Sequence, residues 1–100
     1  MAEWLIIVDD DTMNLQVAGH ILSKGGMRVT ALKSGQALLD YCAEHGFPDM
    51  LLLDIKMPGM DGVETLKRFR ALEEEKGVEE VPVIFLTADE NAGSENQSLI

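Results

Sequence analysis

The sequence predicts a doubly wound α/β fold built on a parallel sheet, and three observations carry that prediction. Apolar segments of strand length recur between stretches of helical periodicity, so strands and helices alternate along the chain. Two of the strand segments, Trp4-Leu5-Ile6-Ile7-Val8 and Met50-Leu51-Leu52-Leu53, are apolar without alternation, which suits strands covered on both faces. Each pair of consecutive strands is joined through a single helical stretch, and crossovers of that kind are right-handed.

The elements follow in order. The first strand, Trp4 to Val8, runs straight into Asp9, Asp10 and Asp11. Thr12 to Lys24 places Leu15, Ala18 and Ile21 or Leu22 at helical spacing. Asp11 or Thr12 can cap the start of this helix, and Gly25-Gly26 ends it. Met27 to Leu32 alternates as a short strand. Ser34 is the expected N-cap of a helix to about His45, with Ala37, Leu38, Tyr41 and Cys42 inward; Gly46 closes it and Pro48 prevents resumption. Met50 to Leu53 is the next strand, ending on Asp54. A turn-rich loop, Met57-Pro58-Gly59-Met60-Asp61-Gly62, follows. Val63, Leu66, Phe69 and Leu72 then stand three apart, predicting an amphipathic helix to Lys76 that Gly77 stops. Val81 to Leu86 is a further apolar strand, with Pro82 near its start, and it ends on Thr87. Ser94 with Gln97 resembles a capping box opening a last helix.

Composition narrows the function. One hundred residues make one domain, and 46% hydrophobic residues exclude a disordered chain. Eighteen acidic residues against 8 basic give a formal charge of -10. Such a surface opposes binding to duplex nucleic acid or to an anionic membrane. A single cysteine excludes an intrachain disulfide framework and any multi-cysteine metal site. No apolar run approaches the roughly 20 residues of a membrane span. Met1-Ala2-Glu3 leads directly into a strand, without the basic and apolar regions of a signal peptide. The expectation is a soluble, cytoplasmic domain.

In sheets of this class the site lies outside the carboxyl ends of the strands. Three strands here end on chemically useful groups: Asp9-Asp10, Asp54 and Thr87. Three carboxylates at one rim repel each other, and a divalent cation relieves that repulsion. Mg²⁺ suits an all-oxygen site and keeps positions for water and phosphate oxygens, with Mn²⁺ as its substitute. A carboxylate can also attack phosphorus to give an acyl phosphate, and a hydroxyl on a neighbouring strand can bond the phosphoryl oxygens. The rim therefore offers a nucleophile, a cation cage and a hydroxyl. Asp11 and Asp61 are expected instead to be helix caps or turn formers.

Ile7-Val8-Asp9-Asp10, Leu52-Leu53-Asp54-Ile55-Lys56-Met57-Pro58-Gly59-Met60-Asp61-Gly62 and Phe85-Leu86-Thr87-Ala88 resemble, in residues and in spacing, the receiver domain of two-component response regulators. The resemblance covers the whole chain, and the middle segment is its most specific part. It implies a flavodoxin-like sheet of order 2-1-3-4. It implies Asp54 as phosphoacceptor and Mg²⁺ held by Asp10, Asp54 and the main-chain carbonyl of Lys56, with Asp9 acting through water. Thr87 would be the switch hydroxyl, Ala88 the small residue leaving room for phosphate, and Pro58 and Gly62 the shapers of the loop. The implied partner is a sensor histidine kinase or a histidine phosphotransfer protein, with an output domain or partner that the residues do not name. Receivers have a fifth strand ending in a lysine. This chain stops before it, so residues 1–100 are expected to be a C-terminally incomplete receiver domain, completed on a longer protein or by exchange of elements in a homodimer.

Two other readings compete. One is a receiver-like interaction module that binds without switching. The other is a phosphohydrolase of the haloacid-dehalogenase type, for which Asp9-Asp10-Asp11-Thr12-Met13 has the acids but Met13 at the last motif position. The remaining singled-out residues read as structural. Cys42 is expected to be an inert core thiol. His20 and His45 lack paired ligand spacing. Met13, Met27 and Met50 suit the core or a helix rim. Lys67-Arg68-Phe69-Arg70 is expected to be a solvated face balanced by Glu73-Glu74-Glu75.

Overall fold

The structure is a computed structural model and describes residues 3–86. Its elements are β1 (Trp4–Val8), α1 (Thr12–Lys24), β2 (Arg28–Leu32), α2 (Gly35–His45), β3 (Met50–Asp54), α3 (Gly62–Lys76) and β4 (Val83–Leu86). Thr87, Ala88 and the helix expected from Ser94 lie outside the described residues. The four strands form one parallel sheet in the order β2-β1-β3-β4.

Helices cover both faces, and strand alternation divides the core accordingly. Leu5 and Ile7 point to one side, where they pack on Leu15 of α1. Ile6, Val8, Leu51 and Leu53 point to the other, where they meet Leu38 and Cys42 of α2 and Phe69 of α3. The Phe69 ring is fully buried and lies 5.5 Å from that of Phe47 at a tilt. Apolar strands without alternation are thus explained by burial on two faces rather than one.

The helix boundaries follow from caps. Asp11, not Thr12, caps α1, accepting from the Met13 and Asn14 amides. Ser34 caps α2 by accepting from the Ala37 amide, and Asp61 caps α3 by accepting from the Glu64 amide. Gly77 ends α3 in the left-handed region at φ 69°, where a side chain would be strained.

Four expectations are corrected. Met13 of α1 is well exposed, not a core or rim residue, while the position left open between Ile21 and Leu22 falls to Leu22, which packs beside Leu15 as Ile21 faces water. Val63 is exposed as well, because positions three apart fall short of a full turn of 3.6 residues, so the row from Val63 to Leu72 drifts round α3 and its first member leaves the buried face. β4 starts at Val83 rather than Val81. Pro82 has no N–H to give to a ladder, and both main-chain groups of Val81 are taken by side chains of α3. Those side chains give the fourth correction: Arg70 and Glu73 are not a solvated pair. Glu73 is 3% exposed and accepts the Val81 amide at 2.7 Å, while Arg70 donates to Glu73 and to the Val81 carbonyl.

Candidate functional site

The parallel register brings the strand ends together. Val8 pairs with Leu53 and Asp54 pairs with Leu86, so Asp9 and Asp54 stand side by side at the carboxyl rim. Asp10 follows Asp9, and Thr87 follows Leu86 just beyond the described residues. One oxygen each from Asp9, Asp10 and Asp54 lies within 4.8 Å of the others. Asp9 and Asp54 are buried and Asp10 is exposed, so the cluster opens to water on one side. A cleft lined by Asp9, Asn14, Asp54, Leu86, Val17 and Ile21 continues from it along α1.

Local structure orients each acid. Asp9 donates its amide to the Leu32 carbonyl at 3.1 Å, which extends the β1–β2 ladder past the last strand residue. Its carboxylate accepts from the Asp11 amide at 2.9 Å and from the Asn14 side-chain nitrogen at 3.3 Å. The Asp54 carboxylate accepts from the Lys56 amide at 3.3 Å. Behind it, the Gly62 amide donates to the Ile55 carbonyl at 2.7 Å. Gly62 is pressed so closely on this segment that a Cβ would overlap the Asp54 carbonyl and come within 2.8 Å of the Ile55 Cα. Only glycine fits here, which ties the first turn of α3 to the main chain that carries Asp54. Asn14 was not singled out in the sequence; its place at the third position of the helix after the acids was the only signal.

Electrostatics mark Asp54. Its pKa is raised from 3.8 to about 6, first by burial, then by the charge of Asp9, with Asp10 adding to the effect and the Lys56 amide opposing it. The rim thus holds more negative charge than it can comfortably ionise. The donor set is all carboxylate oxygen, with neither thiolate nor imidazole, and one side is open for water. That combination fits a hard divalent cation such as Mg²⁺. Cys42 behaves differently: it is buried between α2 and the sheet, and burial, then the charge of Glu73, pushes its thiol up to about 11. It is an inert core thiol, as expected.

A parallel sheet wound on both faces, with a crowded acidic rim at its carboxyl end, defines the class of doubly wound α/β domains that bind phosphate-bearing ligands or cations at the strand ends. Comparison with known proteins makes the assignment specific. The model of the response regulator receiver domain matches residues 5–99, and the chain belongs to that family. It is 30% identical over 97 residues to the polar-differentiation response regulator DivK of Brucella ovis, covering 97% of this chain and 76% of DivK. It is 36% identical over 96 residues to hybrid signal transduction histidine kinase M of Dictyostelium discoideum, covering 95% of this chain. The chain spans only 4% of that kinase's length. Among solved structures, it resembles the receiver domain of the histidine kinase CKI1 from Arabidopsis thaliana, complexed with Mg²⁺ and BeF₃⁻. That likeness has a TM-score of 0.73 at 26% identity, covering 90% of this chain and 71% of that one.

The chain is therefore a receiver domain, of the kind found in histidine kinases and response regulators. Receiver domains are signalling phosphoacceptors and generally not enzymes, bind Mg²⁺ through an acidic pocket, and interact with histidine kinases or phosphotransfer proteins. The phosphohydrolase and the non-switching module are not favoured. No helix among the described residues is long and apolar enough to cross a membrane.

Proposed function

We propose that residues 1–100 act as one receiver unit in which Asp54 accepts a phosphoryl group from a phosphohistidine of a partner kinase or phosphotransfer protein. The observation that carries this reading is the convergence of Asp9, Asp10 and Asp54 within 4.8 Å at the end of a parallel sheet. A carboxylate oxygen of Asp54 attacks phosphorus, the P–N bond breaks, and its electron pair leaves with the imidazole nitrogen. Asp54 ends β3, the strand between β1, which leads into Asp9, and β4, which ends on Leu86. Asp9, Asp10, Asp54 and the Lys56 main-chain carbonyl would hold Mg²⁺, with Mn²⁺ as substitute. When bound, the ion would neutralise charge and draw the phosphoryl oxygens into line. Asp9, already fixed by Asp11 and Asn14, is suited to contribute through water.

Thr87 would bond a phosphoryl oxygen, and Ala88 would leave space for it. The place of Thr87, next after the residue paired with Asp54, supports that role. The change in charge would bias the β4 side of the domain toward a partner or output domain. The acidic surface and the absence of a spanning helix among the described residues suit work in the cytoplasm, away from nucleic acid and membrane.

Intact mass after incubation with MgCl₂ and acetyl phosphate tests the proposal. The expected result is one phosphoryl adduct that requires Mg²⁺ and is absent from Asp54→Asn. An adduct that persists in Asp54→Asn would remove Asp54 from the role.

A further inference from the structure

Among the described glycines, a Cβ would collide with its surroundings at two, Gly62 and Gly35. Gly62 belongs to the acceptor loop. Gly35 does not: it opens α2, and the nearest atoms to its Cβ position are those of Thr65. A Cβ at Gly35 would overlap Thr65 Oγ1 outright and come within 3.1 Å of the Thr65 Cβ and Cγ2. Thr65 is fully buried in α3, and its hydroxyl donates to the Asp61 carbonyl at 2.7 Å. Its amide donates to the same carbonyl at 2.9 Å.

These contacts share one helical turn. Three residues before Thr65, Gly62 rests on the Asp54 carbonyl, with its amide holding the Ile55 carbonyl. The first turn of α3 is therefore gripped from two sides, by α2 at Thr65 and by the Asp54–Ile55 main chain, which leads into Lys56, at Gly62. Neither grip has slack, and a close-packed interior transmits displacement instead of absorbing it. The hydroxyl of Thr65 also closes the turn on Asp61, so Thr65 cannot yield without giving up that hydrogen bond or moving the cap of α3.

We propose that Gly35 is a positioning residue of the acidic site: its contact with Thr65 fixes the seating of α3, and through Gly62 the placing of the Asp54–Lys56 main chain for cation binding. This rests on the reading that the rim binds Mg²⁺. A wedge at position 35 is expected to shift the start of α3 and misplace that main chain, although the wedge touches none of the acids. Helix propensity works against a trivial explanation, because alanine is a better helix former than glycine.

The test compares the full 100-residue chain with Gly35→Ala, Thr65→Ala and the double variant. Mg²⁺ affinity is measured by calorimetric titration with MgCl₂, and the amide resonances of Ile55, Lys56 and Gly62 are followed in metal-free protein. Gly35→Ala is expected to lose about 10- to 100-fold in affinity, the range for groups that support metal ligands from behind. Its three amide resonances are expected to move before any metal is added. Thr65→Ala removes the Oγ1 that the new methyl would overlap and the Cγ2 beside it, so the double variant should bind more tightly than Gly35→Ala. A folded Gly35→Ala with unchanged affinity and unmoved resonances, beside a wild type that binds, overturns the coupling alone. A wild type that does not bind Mg²⁺ overturns the metal reading and the coupling with it. Should Gly35→Ala fail to fold, Thr65→Ala against the double variant decides. The added methyl refills the gap, so tighter binding by the double variant supports the coupling, and equal affinity refutes it.

Discussion

Replacing Asp54 by asparagine should stabilise the metal-free domain at neutral pH. The side chain keeps its shape and loses its charge. In the native state the Asp54 carboxyl titrates at about 6 rather than 3.8, because burial and then Asp9 disfavour its ionised form. The folded value lies above the unfolded one, so the native state retains a proton that the unfolded chain has released. The stabilisation this gives is complete below about pH 4 and is lost as pH rises through 6. A shift of two units corresponds to about 3 kcal/mol at 1.36 kcal/mol per unit. The rim is open to water beside exposed Asp10, and screening reduces this to about 1–2 kcal/mol. Urea denaturation of both proteins with chelator present, from pH 4 to 7.5, gives the difference directly and cancels the carboxylates outside the acidic cluster. The advantage of Asp54→Asn should grow by about 1–2 kcal/mol across that range and level off above pH 6. A difference that stays flat, or that grows in favour of wild type, would refute the claim that the acids are crowded.

Three further outcomes follow from the packing. Glu73→Ala should cost about 2–3 kcal/mol by urea midpoint at constant slope, since the buried Val81 amide and Arg70 lose their acceptor, and Glu73→Gln should cost less. Gly62→Ala should lower stability by about 1–3 kcal/mol in thermal melts, because its methyl overlaps the Asp54 carbonyl. Phe69→Ala should cost about 3–5 kcal/mol, a large part of a small domain's stability, and should show as loss of the near-ultraviolet circular dichroism signal.

The fold was legible because burial on two faces writes itself into composition. Uninterrupted apolar runs marked β1 and β3, and Asp11, Ser34 and Gly77 marked helix ends through local hydrogen bonds. The meeting of Asp9, Asp10 and Asp54 was legible too, since parallel strands of similar length end at one rim. What escaped was long-range. Arg70 and Glu73 read as a surface pair at helical spacing, and nothing local shows that Val81 returns to need their hydrogen bonds. The contact of Gly35 with Thr65 joins residues thirty positions apart on two helices, and a glycine after a cap residue carries no signature of what it faces. Val63 shows the complementary failure: a row of apolar residues spaced by three drifts round a helix of 3.6 residues per turn, so one end of it can face water.

The weakened acidity of Asp54 and its fitness for a cation have one structural cause. Beneath the rim, Val8 and Leu53 are fully buried and locked in register by the β1–β3 ladder. Carboxylates on a flexible loop could separate to relieve repulsion. Here separation would require a strand to slip, and a slip of one residue would swap the side chains of two differently packed cores and shift the ladder. Gly62 blocks the remaining route, because the main chain of Asp54 and Ile55 is already backed by α3 without a gap. Relief must therefore come as positive charge brought to the acids, whether a proton on Asp54 or a cation among the three. The core that makes the sheet stable is what holds the acids in a state that a cation improves, so binding there and the stability of the strand ends are linked quantities.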